Sequence, residues 1–131
     1  IQRTINEMEK DDTVFAGLLE TNRSRHENLF VKNLENVQGD ERDVILISMT
    51  YGPIEPGGQV FQRFGPINQE NGWRRLNVLF TRSRKRMHIF SSMSSTDILV
   101  GHNPSRGIKT LHDFLRFCET KIIHKTHYQS N

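Results

Sequence analysis

The chain has 131 residues, 34% of them hydrophobic, a single cysteine and a net charge of +3, which is the size of one domain with a modest core. No run of about eighteen apolar residues is available to cross a bilayer. The opening "IQRTINEMEK" lacks the basic start and apolar run of a signal peptide, and a lone Cys118 excludes an internal disulfide and a cysteine-based zinc site. These features predict an intracellular chain (cytoplasmic if bacterial) with no membrane partner, and a Cys118 that is a small buried hydrophobe near a helix end.

The net charge conceals a polarity. Residues 1–60 carry 6 Lys/Arg and 11 Asp/Glu, whereas residues 61–131 carry 12 and 4. The second half is where a polyanion would bind, or it is simply a solvated basic surface.

Taken in chain order, Ile1, Ile5 and Met8 are spaced by four and three, which predicts a narrow apolar helix face ending near "KDD". "TVFAGLL" (13–19) predicts one or two further helical turns before the polar loop "ETNRSRHEN". "LFVKNL" (29–34) is a short strand candidate, and the turn-forming "ENVQGDER" then leads into "DVILISMT" (43–50). Its continuous β-branched run predicts a strand buried on both faces, as in a parallel sheet covered by helices. The stretch from Tyr51 to Gly72 holds three of the four prolines and five of the nine glycines, and so predicts a long connection of the kind that carries function.

From Trp73 to about Arg84 the spacing of Trp73, Leu76, Leu79 and Phe80 predicts a helix, followed by a strand in "RMHIFSS" (86–92). Strand, connection, helix and strand make a βαβ unit and an α/β layer fold. Ile108, Leu111, Leu115 and Cys118 recur at helical spacing in a last helix, and residues 122–131 are expected to be a tail or linker after a domain spanning 1–121.

No Gly-x-x-x-x-Gly-Lys-Ser/Thr loop is present, and no strand ends in an Asp-Glu pair that would hold magnesium. Alone, the chain is expected not to hydrolyse a nucleotide. Two stretches nevertheless match a known pattern in the right order. "NLENVQGDERDVILIS" resembles motif V of superfamily 1 helicases, through Gln38, Gly39, Glu41, Asp43 and Val44. "RRLNVLFTRSRKRMHIF" resembles their motif VI, through Leu76, Asn77, Val78, Thr81 and Arg82. The "RRLNV" form is similar to the branch holding the RNA-surveillance and Okazaki-fragment helicases. The resemblance spans residues 29–92, about half of the chain.

That resemblance implies a second RecA-like domain, truncated at its N-terminal side, with a mainly parallel sheet flanked by helices and no phosphate loop of its own. It implies ATP and Mg²⁺ held mainly by an absent first RecA-like domain of the same polypeptide, and single-stranded DNA or RNA as partner. Arg82 is carried over as the catalytic arginine that reaches the γ-phosphate, where a planar, always-charged guanidinium suits the spread negative charge. Gln38, Gly39 and Glu41 are carried over to the nucleotide side, Glu41 toward the ribose hydroxyls. Gly39 is suited to a backbone conformation that a side chain forbids. Arg75, seven residues before Arg82 and so on the same side of the expected helix, either assists at the phosphates or pairs with an acid.

The resemblance also places nucleic-acid contacts on Asn33, Glu35, Asn77 and Thr81, with Arg84 and Lys85 as expected phosphate contacts. Asn33 and Glu35 depart from the family's usual residues at those places, and Leu79-Phe80 is bulkier than the usual stretch. Each site residue also has a plainer reading: Glu41 as a turn cap, Gly39 as an ordinary turn glycine, Arg82 as a surface ion pair, Arg84 to Arg86 as a solvated face.

His124 and His127 are three apart but lack a partnering carboxylate or cysteine pattern, so no metal site is expected. His88 reads as structural. Trp73 and Phe80 suit core, whereas Phe61 and Phe64 in the long connection suit base contacts. The function expected is the C-terminal motor domain of an ATP-dependent nucleic-acid helicase. Its rival is a non-catalytic nucleic-acid-binding or protein-interaction domain with the same fold.

Overall fold

The computed structural model describes residues 1–37 and 39–121; Gln38 and the expected tail 122–131, with His124 and His127, lie outside the described residues. The chain divides into two compact units, residues 1–37 and, among the described residues, 39–121.

In the first unit, α1 (Gln2–Asp11) and α2 (Thr13–Ser24) pack side by side. Asp12 separates them: its carboxylate accepts from the backbone N–H groups of Val14 and Phe15 at 2.9 and 3.0 Å, satisfying donors that a helix start leaves open. The second helix is longer than its apolar run predicts. Thr21 returns its hydroxyl to the Gly17 carbonyl at 2.9 Å, and Arg23 reaches Glu20 at 3.3 Å and Glu9 of α1 at 2.7 Å, so polar residues that read as loop are helical. Leu19 is buried, while Ile1 and Met8 of the expected apolar face stay exposed. The strand expected at 29–34 does not form. Among the described residues that segment has no neighbouring strand to ladder with, and only the short 3-10 turn Leu34–Asn36 is regular.

The second unit is built on β1 (Arg42–Ser48) and β2 (Ser83–Phe90), which pair in parallel. Between them runs α3 (Gly72–Phe80), and α4 (Arg106–Thr120) follows. This is the expected α/β arrangement, with a small parallel sheet and accompanying helices. Among the described residues the sheet has two strands. It is covered less than the apolar run of β1 predicts: Ile47 is buried, but Val44 and Leu46 are 49% and 65% exposed, as is Phe90 at 60%. The register sets Val44 beside Arg86, Leu46 beside His88 and Ser48 beside Phe90, all on one face because strand side chains alternate. His88 is therefore an exposed strand residue.

The core lies elsewhere. Phe64, Ile67, Leu76, Ile98, Ile108, Leu111 and Leu115 are buried, the rings of Phe80 and Phe114 stack with centroids 3.5 Å apart, and Tyr51 meets Phe64 edge-on at 5.3 Å. Cys118 in α4 is half-buried, and burial pushes its thiol pKa up. Two glycines set how closely these parts approach. A Cβ on Gly72 or on Gly107 would collide with the backbone carbonyl of Ile67, so the first turns of α3 and α4 both close on one carbonyl oxygen. The partial positive charge of a helix N-terminus suits that oxygen.

Candidate nucleotide and nucleic-acid site

The helix expected to run to Arg84 stops at Phe80, and the strand expected from Arg86 starts at Ser83. The reason is local. Thr81 turns its hydroxyl back to the carbonyls of Asn77 and Val78, both at 3.0 Å, and the Arg82 Nε donates to the Val78 carbonyl at 3.0 Å. These groups satisfy the acceptors a helix end leaves open. Arg82 thus sits at the joint between α3 and β2, not on the helix. Arg75 and Arg82 do not share a helical face, and Arg75 instead donates to Gln69 Oε1 at 2.9 Å.

At this joint the two motifs meet. The Arg82 carbonyl accepts from the Arg42 N–H at 3.1 Å, which brings the start of β1 against the end of α3. Nη1 of Arg82 then lies 3.9 Å from Glu41 Oε1, with side-chain exposures of 21% and 55%. Nη2 of Arg82 also donates to the Thr81 hydroxyl at 3.1 Å. Gly39 has φ of 87°, in the region that favours glycine, two residues before Glu41. Asn77 and Thr81 are exposed beside Arg82.

One strand residue further on, Asp43 is gripped by two cations. Arg84 Nε lies 2.8 Å from one carboxylate oxygen and Lys85 Nζ 2.6 Å from the other. The hydrogen bond from Lys85, then the charges of Arg84 and Lys85, hold its carboxyl below the usual range against the opposing cost of burial. Arg84 and Lys85, read from sequence as freely solvated or phosphate-facing, are thus ion-paired across the strands. In sequence Asp43 is only a motif residue opening the strand, and the two cations that clamp it lie on the far strand of the pair.

Asn33 and Glu35 belong to the first unit, Asn33 preceding the 3-10 turn and Glu35 within it; both are exposed. Gln38 lies outside the described residues. Of the two aromatic candidates, Phe64 is fully buried and unable to meet a base, because its backbone is fixed by Asn68 and Tyr51. Phe61 is 66% exposed. Trp73 is only partly buried, and the guanidinium of Arg106 lies 3.8 Å from its ring centroid. Among the described residues no group of three or more potential metal-binding side chains stands together, and no helix is long and apolar enough to cross a membrane.

A family model described as an AAA domain matches residues 5–94, which include Gly39, Glu41, the whole of α3 and Arg82. The chain belongs to the AAA-domain family. The curated relatives of this AAA domain include an uncharacterized ATP-dependent helicase of Mycoplasma genitalium, 40% identical over 94 residues, which are 72% of this chain and 8% of that protein. Its homologue in Mycoplasma pneumoniae is 41% identical over 91 residues, 70% of this chain and 8% of that protein. The AAA domain thus spans under a tenth of the length of these relatives and is helicase-like in the sense its two motifs indicate. No solved structure matches it.

Proposed function

We propose that this chain is the C-terminal, second RecA-like motor domain of an ATP-dependent superfamily 1 helicase. Residues 1–121 form that domain and 122–131 follow as a tail or linker. It completes an ATP site begun by a first RecA-like domain and supplies part of the groove for single-stranded DNA or RNA. The observation that carries this reading is the approach of Arg82 to Glu41 at 3.9 Å, since two residues 41 positions apart are the ones the motifs pair at a nucleotide. Their relatives' name, ATP-dependent helicase, supports it.

In this reading Glu41 receives the ribose, Gly39 shapes the turn before it, Gln38 is assigned to the nucleotide side, and Arg82 swings from its helix-capping position to the γ-phosphate. The hydrogen bonds of Arg82 to Val78 and Thr81 fix its position beside Glu41. Magnesium does not fit this half of the site. Asp43 is occupied by Arg84 and Lys85 and Glu41 faces Arg82, and among the described residues no three potential metal-binding side chains stand together, so this reading assigns the ion to the first domain.

The test is reconstitution. The chain alone, with ATP, Mg²⁺ and single-stranded nucleic acid, should release phosphate at background. Joined to a first RecA-like domain that carries a phosphate loop, it should show strand-stimulated turnover. Turnover by the chain alone that follows it through purification would sink the assignment. The non-catalytic rival predicts strand binding with no turnover in the joined protein.

A further inference from the structure

The long connection between β1 and α3 is not slack. Gln62 fastens it: its Nε2 donates to the carbonyls of Val60 at 2.9 Å and Asp97 at 2.8 Å, and its Oε1 accepts from the Leu99 N–H at 2.9 Å. Asn68 adds a second fixing, donating to the Gln62 carbonyl at 3.2 Å and accepting from the Phe64 N–H. The Tyr51 hydroxyl donates to the Phe64 carbonyl at 3.1 Å. Side chains along this segment alternate. Val60 and Phe64 are buried and Gln62 is engaged inward, whereas Phe61 is 66% exposed and Arg63 is exposed. Neither outward residue has a ring contact or ion pair among the described residues.

A large ring left in water on a backbone held by hydrogen bonds gains nothing for the fold. Its presentation does matter for binding, because the ordering cost of the loop is already met before a ligand arrives. An exposed aromatic ring two positions from an exposed arginine, in a half-chain that carries 12 Lys/Arg against 4 Asp/Glu, matches the chemistry of a nucleotide in a single strand: a base with two π-faces and a phosphate beside it. We infer that Phe61 is a base-stacking platform and Arg63 its phosphate contact, held in place by Gln62, on a single-stranded nucleic acid. The inference rests on the proposed strand-binding role and names where the strand is read. It is sequence-tolerant, since every base offers a π-face and neither residue is aimed at a base edge.

The test compares two probes on the purified chain at low salt: a labelled oligonucleotide of thymidines, and an abasic strand of the same length with the same phosphates and no bases. Phe61→Ala should weaken binding to the first by roughly tenfold, the scale of losing one stacked base, and leave the abasic strand unchanged. Phe61→Trp should restore it. Arg63→Ala should weaken both. Thermal unfolding of each variant should match the parent, because both side chains are exposed. If the parent binds and Phe61→Ala binds both probes as well as it does, the platform is wrong and the helicase reading stands. Equal losses on both probes would also overturn it, since they would mean an effect through loop structure and not through stacking. A parent chain that binds neither probe overturns the strand-binding reading and this inference together.

Discussion

Arg82 and Glu41 face each other at 3.9 Å across the joint of α3 and β2, while Nε of the same arginine is fastened to the Val78 carbonyl. One side chain therefore has two uses: it ends a helix, and it stands next to the carboxylate that the motif assigns to a nucleotide. Such a position separates a catalytic arginine from a structural one by experiment. In the chain joined to a first RecA-like domain that carries a phosphate loop, Arg82→Lys should lower turnover at saturating ATP and strand by on the order of a thousandfold, the scale of a lost arginine finger. The melting temperature should fall only slightly, because lysine keeps the charge near the helix end and loses the forked donors. A large fall in melting temperature with a proportionate loss of turnover would identify Arg82 as a helix cap and no more.

The glycines give predictions of opposite sign. Gly107→Ala and Gly72→Ala each force a methyl group against the backbone of Ile67, which cannot move aside as a flexible side chain can. Each should destabilise the chain by about 1–3 kcal/mol, as overpacking does. Gly17, within α2, has open space at its Cβ position, so Gly17→Ala should stabilise by up to about 1 kcal/mol through helix propensity. Denaturant unfolding of the three variants checks all of this at once. Equal small effects would mean that the two helix N-termini do not close on the Ile67 carbonyl.

How much of this was legible follows from what each residue interacts with. The helices α3 and α4 could be read because their apolar spacing is satisfied by near neighbours, and β1 because β-branched residues run together. The joint at Arg82 could be named from its motif, but not its hydrogen bonds, because the residues that end α3 are a threonine and an arginine that look like continued helix. Burial misled in two places. Val44 and Leu46 read as core because they are apolar, yet burial depends on what covers the sheet. Phe64 and Phe61 looked alike in sequence, and only the Gln62, Asn68 and Tyr51 hydrogen bonds decide which ring turns inward. The same limit applied to Asp43, whose two cations come from a strand 41 and 42 residues away in sequence.

Acid should weaken the second unit. The backbone N–H of Ser94, then its hydroxyl, hold the Asp97 carboxyl below the usual range as part of a capping box, and Lys85 with Arg84 does the same for Asp43. A carboxyl whose pKa is depressed by folding contributes stability at pH above its unfolded value, about 4. That contribution is lost as pH falls through the folded value. The melting temperature should therefore be level with respect to these groups above about pH 5 and fall below about pH 4. Asp97→Asn should lower it at neutral pH and flatten the acid limb. An acid limb unchanged in both Asp97→Asn and Asp43→Asn would show that neither carboxyl is held down by folding.

The clamp on Asp43 makes the basic run testable in an unusual direction. Arg84 and Lys85 spend part of their charge on one carboxylate at 2.8 and 2.6 Å, so what they offer a phosphate backbone is reduced. Asp43→Asn keeps the shape of the side chain, removes that competitor and adds a net positive charge. Binding of a single strand to the chain should then tighten at low salt, and the dependence of affinity on salt should steepen by about one counterion, because a negative charge beside the basic run is gone. Arg84→Ala and Lys85→Ala should do the reverse, each making the slope shallower by about one. The Arg84→Ala change should not alter turnover per bound strand in the joined protein, since both cations are turned to Asp43. Titrations over a salt series read both the affinity and the slope. If Asp43→Asn leaves both unchanged, the two cations are part of a surface ion-pair network and do not face the strand.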